Sequence, residues 1–345
     1  MTRSKRSGSV WCTNALRVGE LLPTMRWHPA VLAAVAHAKK SESWCVAFSG
    51  GADSLTLLLA LWAHFPERRD ALVALHFNHR LRGRASDADA KFCHQVCRAL
   101  GVRVRVGVWR DAKKGASEAA ARAARQGFFL REMSELGARK LWLAHHQNDI
   151  AETMVMRLAR GSGTGGLAAP RPVQPMPGRR LHLRPMLTVK KAELIAVLRQ
   201  AEVGWREDAS NDGDDYFRNR VRRSVLPAWI QASGRDAVAG AALARERMEE
   251  DDVALETWLD RLAPLKRGAL DLARLADAPR AIWRRALHRW LLAVQPDTDL
   301  SRQGFAQLLI AIEAGRATRF SLGATAFAVI RQGRLTLKKR RSIPI

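Results

Sequence analysis

The most constraining feature of the sequence is an apolar run that ends at two glycines and is followed at once by a Leu-rich helical pattern. The run is Cys45–Phe48, the glycines are Gly50 and Gly51, and the helical pattern begins after Asp53 and Ser54. An apolar run this short predicts a buried strand, so the stretch predicts a strand, a tight turn and a helix. Adjacent glycines allow positive φ, and the first turn of a helix offers unpaired N–H groups and a positive dipole end. The stretch therefore predicts a turn that binds phosphate, with a plain helix N-cap as the alternative.

The charge of the chain predicts a polyanionic partner. The 345 residues include 58 Lys and Arg against 33 Asp and Glu, a formal net charge of +25. Cations that neutralise phosphates release counterions, which favours nucleic-acid binding whatever the base sequence, and a generic solvated surface is the alternative. The four cysteines are too few and too irregularly spaced for a disulfide framework, and no run of eighteen apolar residues occurs. The sequence thus predicts a cytoplasmic protein with no membrane partner.

The order of the predicted elements indicates an α/β fold. Short apolar runs alternate with longer helical patterns, and they lie at residues 45–48, 71–77, 103–108, 141–144 and 181–187. The helices are predicted at residues 54–65, 86–100, 118–136, 149–160 and 190–201. Strands that alternate with helices form a parallel sheet with helices on both faces, and such sheets bind ligands at the carboxyl ends of their strands. We therefore predict a doubly wound, mainly parallel sheet with its polar motifs at one edge.

Composition divides the chain into three parts. Residues 1–24 are basic and lack periodicity, so they are predicted to be a disordered extension, or a segment upstream of a start at Met25. Residues 25–227 hold the alternating strands and helices, with a loop rich in Gly, Pro and Arg predicted at 161–180. Residues 228–345 are predicted to form a helical domain that ends in short antiparallel strands and a basic tail. The sequence leaves the oligomeric state open, with a homodimer as one alternative.

A second group of polar residues follows the strand predicted at 141–144. His145 and His146 come directly after it, and Asp149 and Glu152 lie in the first turn of the next helix. Residues three apart share a helical face, so the two carboxylates can converge on one cationic group. A capping box in which Asp149 caps the helix and Glu152 reaches back is the alternative. A zinc site is disfavoured because adjacent histidines point apart.

Several motifs, taken together, resemble one family. The SGGADS turn at 49–54 resembles the SGGxDS signature of PP-loop ATP pyrophosphatases, which cut ATP between the α and β phosphates. The tRNA(Ile)-lysidine synthetase family shows a similar ordered set of motifs, which in this chain are HxNHxLR at 76–82, LAHHxxDxAET at 143–153, RGSGTGGL at 160–167, RPML at 184–187 and RNRVRR at 218–223. The helix that carries Glu118, Arg122 and Arg125 is similar as well. The resemblance extends from residue 45 to residue 227 and more loosely beyond.

The resemblance implies an ATP-dependent ligase that uses Mg²⁺. Such an enzyme joins the ε-amine of free L-lysine to C2 of the wobble cytidine of a tRNA(Ile) with a CAU anticodon, through an adenylated tRNA, and releases AMP and pyrophosphate. Codon reading then changes from AUG to AUA. The implied ATP-binding residues are Ser49, Gly50, Gly51, Ala52, Asp53, Ser54, Arg160 and Gly161, and Asp53 is also the implied Mg²⁺ ligand.

The same resemblance assigns the remaining site residues. Lysine is implied to bind at Asp149, Glu152 and His145, and Asp53, Asp149 and Glu152 are the implied catalytic residues. The implied tRNA-binding residues are His79, Arg82, Arg122, Arg125, Arg218 and Arg222. Three positions depart from the family pattern: Asn148 replaces an Asp, Ile150 replaces a Gln and Gln126 replaces a Tyr. These departures bear on the details of Mg²⁺ or lysine contact.

Three other functions stay open at this point. Another PP-loop enzyme could thiolate tRNA, but that chemistry uses paired cysteines, and Cys93 and Cys97 lie one helical turn apart in a predicted helix. A synthetase for small molecules would not need so large a positive charge. From a different class, the chain could be a non-catalytic RNA-binding protein with a degenerate nucleotide fold. The intact SGGADS turn, Asp149 and Glu152 argue against that interpretation.

Overall fold

The computed structural model describes residues 2–39, 41–80, 84–110, 117–207, 217–296, 298, 300–323 and 326–340. The helices are α1 (Thr2–Leu21), α2 (Pro29–Val35), α3 (Ala52–His64), α4 (Arg84–Leu100), α5 (Glu118–Glu135), α6 (Gln147–Leu158), α7 (Thr164–Leu167), α8 (Lys191–Gln200), α9 (Phe217–Arg220), α10 (Leu226–Ser233), α11 (Ala237–Leu262), α12 (Arg280–Val294) and α13 (Arg302–Glu313). The strands are β1 (Trp44–Ala47), β2 (Leu72–Asn78), β3 (Arg103–Val108), β4 (Lys140–Trp142), β5 (Val173–Met176), β6 (Arg180–Leu183), β7 (Leu265–Lys266), β8 (Ala269–Asp271), β9 (Thr318–Ser321), β10 (Ala326–Arg331) and β11 (Arg334–Lys339). In these parts of the chain, no helix is both long and apolar enough to cross a bilayer.

The first six strands form one sheet in the order β3-β2-β1-β4-β6-β5. All neighbours are parallel except β5, which runs antiparallel to β6 at the edge. The predicted mainly parallel α/β fold is confirmed. The loop predicted at 161–180 is wrong in part, because it contains α7 and the edge strand β5.

Helices cover both faces of this sheet because its central strands are apolar on both sides, as is typical of parallel sheets. On one face, Trp44 and Trp142 pack with their ring centroids 4.8 Å apart, in a cluster that includes the leucines of α3. On the other face, Phe128, Phe129 and Met133 of α5 pack against residues of β1, β2 and β4. The two layers hold the central strands rigidly, and their carboxyl ends are therefore a firm base for a site.

Residues 2–21 form helix α1, which corrects the prediction of a disordered extension. Ala15, Val18 and Leu22 are almost fully buried and belong to the main core cluster. Gly19 lies so close to α3 that an added Cβ would be 2.7 Å from the Cβ of Ala63. On the buried side, large apolar residues such as Trp11 and Leu22 are separated by the small residues Ala15 and Gly19, so the packing of this helix is evident only from its close approach to α3.

The chain divides into two compact units, residues 1–247 and residues 248–345. The division lies within α11 and C-terminal to the predicted boundary at Pro227. The second unit contains a five-stranded antiparallel sheet in the order β7-β8-β11-β10-β9, with Trp290 and Leu308 in its core. The antiparallel strands at the end of the chain agree with the sequence, whereas β7 and β8 are too short to have been predicted.

Candidate active site

The polar motifs meet where the winding of the first sheet reverses. β1 and β4 are neighbours, with β2 and β3 on one side of them and β6 and β5 on the other. Open α/β sheets bind ligands outside the carboxyl ends of their strands at such a reversal. A cavity of about 970 Å³ lies there, lined by residues that follow both β1 and β4. A cavity of this volume is large enough for a nucleotide with part of a second substrate.

Gly50 and Gly51 turn the chain sharply from β1 into α3. Gly50 has a φ of +88°, and an added Cβ would lie 3.2 Å from both the Sγ of Cys93 and a ring carbon of Phe92. Glycine is the residue that fits such a position without strain. Gly51 is the N-cap of α3, and it lines the cavity with the first residues of that helix, Ala52 among them. The unpaired N–H groups of this helix end are suited to bind phosphate.

The two serines of the turn brace it from within. The backbone N–H of Ser49 donates to the Oγ of Ser54 at 3.1 Å, and the N–H of Gly51 donates to the Oγ of Ser49 at 3.3 Å. The Ser54 hydroxyl donates to the Gly51 carbonyl at 3.1 Å. Both serines line the cavity. The turn is thus preorganised by its own side chains.

Asp53, in the first turn of α3, lies between a lysine and a histidine. Its Oδ1 is 2.5 Å from the Nζ of Lys191, and its Oδ2 is 3.6 Å from the Nε2 of His146. Burial raises the pKa of Asp53, but His146 and Lys191 outweigh that effect and hold the pKa below its ordinary value. Sequence reasoning missed Lys191, whose only signal is its place at the start of a helix after a strand of the sheet.

Helix α6 begins with a capping contact that differs from the predicted alternative. His146 is its N-cap, and its backbone N–H donates to the Oδ2 of Asp149 at 2.9 Å. Asp149 is therefore the residue that reaches back, and the cap lies one turn earlier than the sequence alternative placed it. Asp149 is 8% exposed and Glu152 is 1% exposed. Buried carboxylates need charged or hydrogen-bonding partners.

Those partners are two arginines of the chain itself. The Oδ1 of Asp149 lies 2.5 Å from Arg218, and the Oε2 of Glu152 lies 2.6 Å from the Nε of the same arginine. Arg222, in the π-helical turn Val221–Val225, donates from Nε to the Oε1 of Glu152 at 2.6 Å. Burial raises the pKa of Asp149, but His146 and Arg218 hold it well below its usual range. The two carboxylates do converge on a cation, as predicted from their spacing.

His146 connects the two motifs. Its Nε2 lies 3.6 Å from Asp53 and 3.5 Å from the Oδ2 of Asp149. Burial lowers the pKa of His146, but Asp149 and Asp53 outweigh it and raise the pKa above its ordinary value. A continuous line of polar contacts therefore runs from Lys191 through Asp53, His146 and Asp149 to Arg218.

His145 faces a different partner. Arg184, which directly follows β6 and is 4% exposed, donates from Nε to the Nδ1 of His145 at 3.2 Å. Its other nitrogens donate to the carbonyl of Arg171 at 2.7 Å and to the Oε1 of Gln174 at 3.0 Å. Burial, helped by Arg122, lowers the pKa of Arg184 to about 10. The sequence carries Arg184 in the RPML motif, but only the fold brings it to His145.

The other predicted site residues fall into three groups. His79, Arg122 and Arg125 line the cavity. Arg160 and Gly161 follow α6 at the end opposite to Asp149, and a helix of 12 residues spans about 18 Å. In the part of the chain that the structure describes, neither residue lines the cavity. Arg82 lies outside the described residues.

The residues at this site are better suited to Mg²⁺ that is bound together with a nucleotide than to a metal ion held by the protein alone. Within the described ranges, no group of three or more His, Cys, Asp or Glu side chains could hold a metal ion. Mg²⁺ is commonly bound through one or two carboxylates together with substrate phosphates and water. Asp53, ionised at the start of α3, supplies one such carboxylate.

Comparisons with known proteins agree with this geometry. A family model described as a PP-loop domain matches residues 27–229. The tRNA(Ile)-lysidine synthase of Pseudomonas aeruginosa is 38% identical over 295 residues, which cover 81% of this chain and 65% of that protein. The tRNA(Ile)-lysidine synthase of Xanthomonas campestris pv. campestris is 37% identical over 314 residues, which cover 87% of this chain and 69% of that protein.

A solved structure supports the fold alone. The U34-tRNA thiolase from Methanococcus maripaludis with its [4Fe-4S] cluster has a TM-score of 0.51 and 17% identity, over 69% of this chain and 78% of that chain. The sequence relatives show the family as well as the fold. The chain spans 65% of the length of the Pseudomonas protein. With a family model over more than half of its length and relatives well above 30% identity, the chain belongs to the tRNA(Ile)-lysidine synthase family of PP-loop proteins.

Proposed function

We propose that this chain is an ATP-dependent ligase that joins free lysine to C2 of the wobble cytidine of a tRNA(Ile) with a CAU anticodon. The observation that carries the proposal is one cavity that is lined by the glycine turn, Asp53 and Asp149, with both carboxylates in contact with His146. Glu152 lies behind this lining and shares Arg218 with Asp149. This arrangement brings a phosphate-binding turn and a cation-binding carboxylate to the same cavity. A ligase that uses ATP and an amine needs both.

The first chemical step would be adenylation of the cytidine. C2 of cytosine is a urea-like carbonyl carbon and a poor electrophile, so O2 must first be converted into a leaving group. In this step O2 attacks the α-phosphorus of ATP, the bond to the β-phosphate breaks, and pyrophosphate leaves. The helix end at Gly51, with Lys191 and the serine hydroxyls, would stabilise the departing negative charge. Mg²⁺ bound at Asp53 and the phosphates would add charge stabilisation.

The second step would be attack by lysine. The ε-amine, whose reference pKa is about 10.4, is mostly protonated at neutral pH and must lose a proton before it can attack C2. AMP then leaves with the former O2 oxygen. Asp149 and Glu152 would bind the cationic form, and for this the guanidinium of Arg218 or Arg222 must give up its present contact. Such an arginine would then be available to a tRNA phosphate.

The C-terminal unit would contribute tRNA affinity. Arg319, Arg334 and Lys338 are exposed on β9 and β11, and by strand alternation and register they share the outer face of that sheet with Phe327. The guanidinium of Arg319 lies 3.7 Å from the centre of the Phe327 ring. The last 32 residues of the chain contain no Asp or Glu. A basic surface of this kind suits the phosphates of RNA better than an acidic protein of defined shape.

The test is transfer of radiolabelled lysine to unmodified tRNA(Ile) with a CAU anticodon, in the presence of ATP and Mg²⁺. We expect label that depends on ATP and is lost in Asp53→Ala, while Asp277→Ala, at an exposed position of the C-terminal unit, keeps it. An elongator tRNA(Met) with the same anticodon should stay unlabelled. ATP cleavage to AMP and pyrophosphate without label would refute the proposal and favour another PP-loop modification of tRNA. Absence of both activities would favour a non-catalytic RNA-binding protein.

A further inference from the structure

The contact between Arg184 and His145 fixes the chemistry of the histidine ring. The Nε of arginine carries a hydrogen and has no lone pair, so it can only donate. The Nδ1 of His145, 3.2 Å away, must therefore accept and carry no proton. A neutral imidazole with an unprotonated Nδ1 has its proton on Nε2. The pair thus selects one tautomer, in which the remaining ring nitrogen is a donor.

Arg184 is held firmly enough to enforce this selection. Its guanidinium is buried, and its three contacts are to His145, to the Arg171 carbonyl and to Gln174. The last two acceptors lie on or next to β5, the strand that pairs with β6, so the guanidinium is anchored to the sheet edge. Arg184 cannot rotate away from His145 without breaking all three bonds.

The charges around His145 keep the ring neutral. Burial lowers its pKa to about 3, and Arg184, Arg218 and Arg125 act in the same direction. Asp149 opposes them, since its negative charge raises the pKa. Arg184 directly follows β6, and the other three groups lie on α9, α5 and α6, so these are the elements that face the ring. Three positive charges and burial together outweigh one carboxylate.

We propose that His145 is a neutral hydrogen-bond donor, through Nε2–H, to an oxygen of the bound substrates, and that Arg184 is the residue that positions it. His145 lines the cavity, so its free donor is accessible to a substrate there. This role differs from the lysine-binding role that the family resemblance implied. An ammonium group has only donors, and a ring nitrogen that already carries a proton can neither accept from it nor remove its proton.

Two substitutions separate a donor from a proton acceptor. In His145→Gln the side-chain amide nitrogen can reach the Nε2 position and keeps a donor there. In His145→Asn the amide is shorter and can satisfy only Arg184. We expect His145→Gln to keep lysine transfer within about 10-fold of the wild type, and His145→Asn to lose about 100-fold or more, as for a lost donor to a developing charge. Equal losses in the two variants, with partial rescue by free imidazole, would overturn the proposal in favour of a base.

The same variants identify which oxygen accepts the hydrogen bond. A slower release of pyrophosphate in His145→Asn, with an unchanged KM for lysine, would point to a phosphoryl oxygen or to O2 of the cytosine. A raised KM for lysine with unchanged pyrophosphate release would point to the lysine carboxylate. If His145→Asn changes neither quantity, the histidine does not donate to a substrate and the proposal is wrong.

A measurement on the free protein tests the tautomer of His145 without an activity assay. The role of His145 in catalysis rests on the proposed function, whereas its tautomer does not, so this measurement tests the two separately. In the ¹⁵N-histidine-labelled full chain, long-range ¹H–¹⁵N spectra should show one ring, absent in His145→Asn, with an unprotonated Nδ1 and a protonated Nε2 from pH 7.5 down to pH 5. In Arg184→Met this ring should titrate closer to the ordinary value of about 6.5. A proton on Nδ1, or an imidazolium at pH 6 in the wild type, would refute the assignment even if Arg184→Met fails to fold.

Discussion

Replacement of Glu152 by Gln should destabilise the protein strongly. The carboxylate is 1% exposed and accepts from Arg218 at 2.6 Å and from Arg222 at 2.6 Å and 3.1 Å. Glutamine keeps the shape but loses the charge, and its NH₂ group would place a donor opposite a guanidinium donor. Both arginines would lose their charged partner at this position.

The magnitude follows from the burial of the three groups. Removal of one partner from a buried ion pair costs about 3–5 kcal/mol. Arg218 keeps Asp149, and the Arg222 side chain is 38% exposed and can be hydrated, so part of this cost is recovered. We therefore expect a loss of about 2–3 kcal/mol in the free energy of unfolding.

Urea unfolding of the full chain, followed by tryptophan fluorescence, measures this loss. With a slope of about 3 kcal/mol per molar urea, the midpoint should fall by about 1 M. The matched control is Glu202→Gln, because Glu202 pairs with Arg17 at 3.3 Å with both side chains more than half exposed. An exposed pair of this kind contributes about 0.5 kcal/mol or less. If the two variants shift the midpoint equally, the carboxylate of Glu152 is not the buried partner that we describe.

Three further predictions concern the same site. Lys191→Met should raise the KM for ATP about 10- to 100-fold in steady-state kinetics, because the variant loses one charged contact to phosphate. Lys190→Met is the control: it removes a contact to the exposed Asp236 and should leave the KM for ATP unchanged. Gly50→Ala should abolish ATP binding in calorimetry, because the added Cβ would clash with Cys93 and Phe92. Gly101→Ala is the control: Gly101 has a similar φ but open space around it, so this substitution should only cost about 1 kcal/mol of stability. Asp149→Asn should lower the free energy of unfolding by a constant amount above pH 5. Because the folded pKa of Asp149 lies well below its unfolded value of about 3.9, that difference should shrink steadily as the pH falls below 4, and a difference that stays the same between pH 5 and pH 2 would contradict the ion pairing.

The fold of the first unit could be predicted because its signals are local. The strand β1 is an uninterrupted apolar run, β2 begins with the apolar run Leu72–Leu75, and the turn at Gly50 needs a backbone conformation that few residues other than glycine adopt. Residues three apart share a face of any helix, so the spacing of Asp149 and Glu152 puts both on one face of α6. Helix α1 was missed because its buried side includes small residues such as Gly19, whose role depends on the contact with α3.

The partners of the site residues could not be predicted, because each pair joins distant parts of the chain. Asp53 and Lys191 are 138 residues apart, and Glu152 and Arg222 are 70 apart. Sequence spacing constrains only neighbours on one helix or strand, whereas these contacts depend on strand order and on where α8 and α9 begin. By itself, the sequence determined the strand, the glycine turn and the helix that follows it, and the pair of carboxylates on α6. Only the tertiary structure decided that Arg218 and Arg222 neutralise those carboxylates and that Arg184 fixes the tautomer of His145, because long-range packing alone brings these charges within hydrogen-bonding distance.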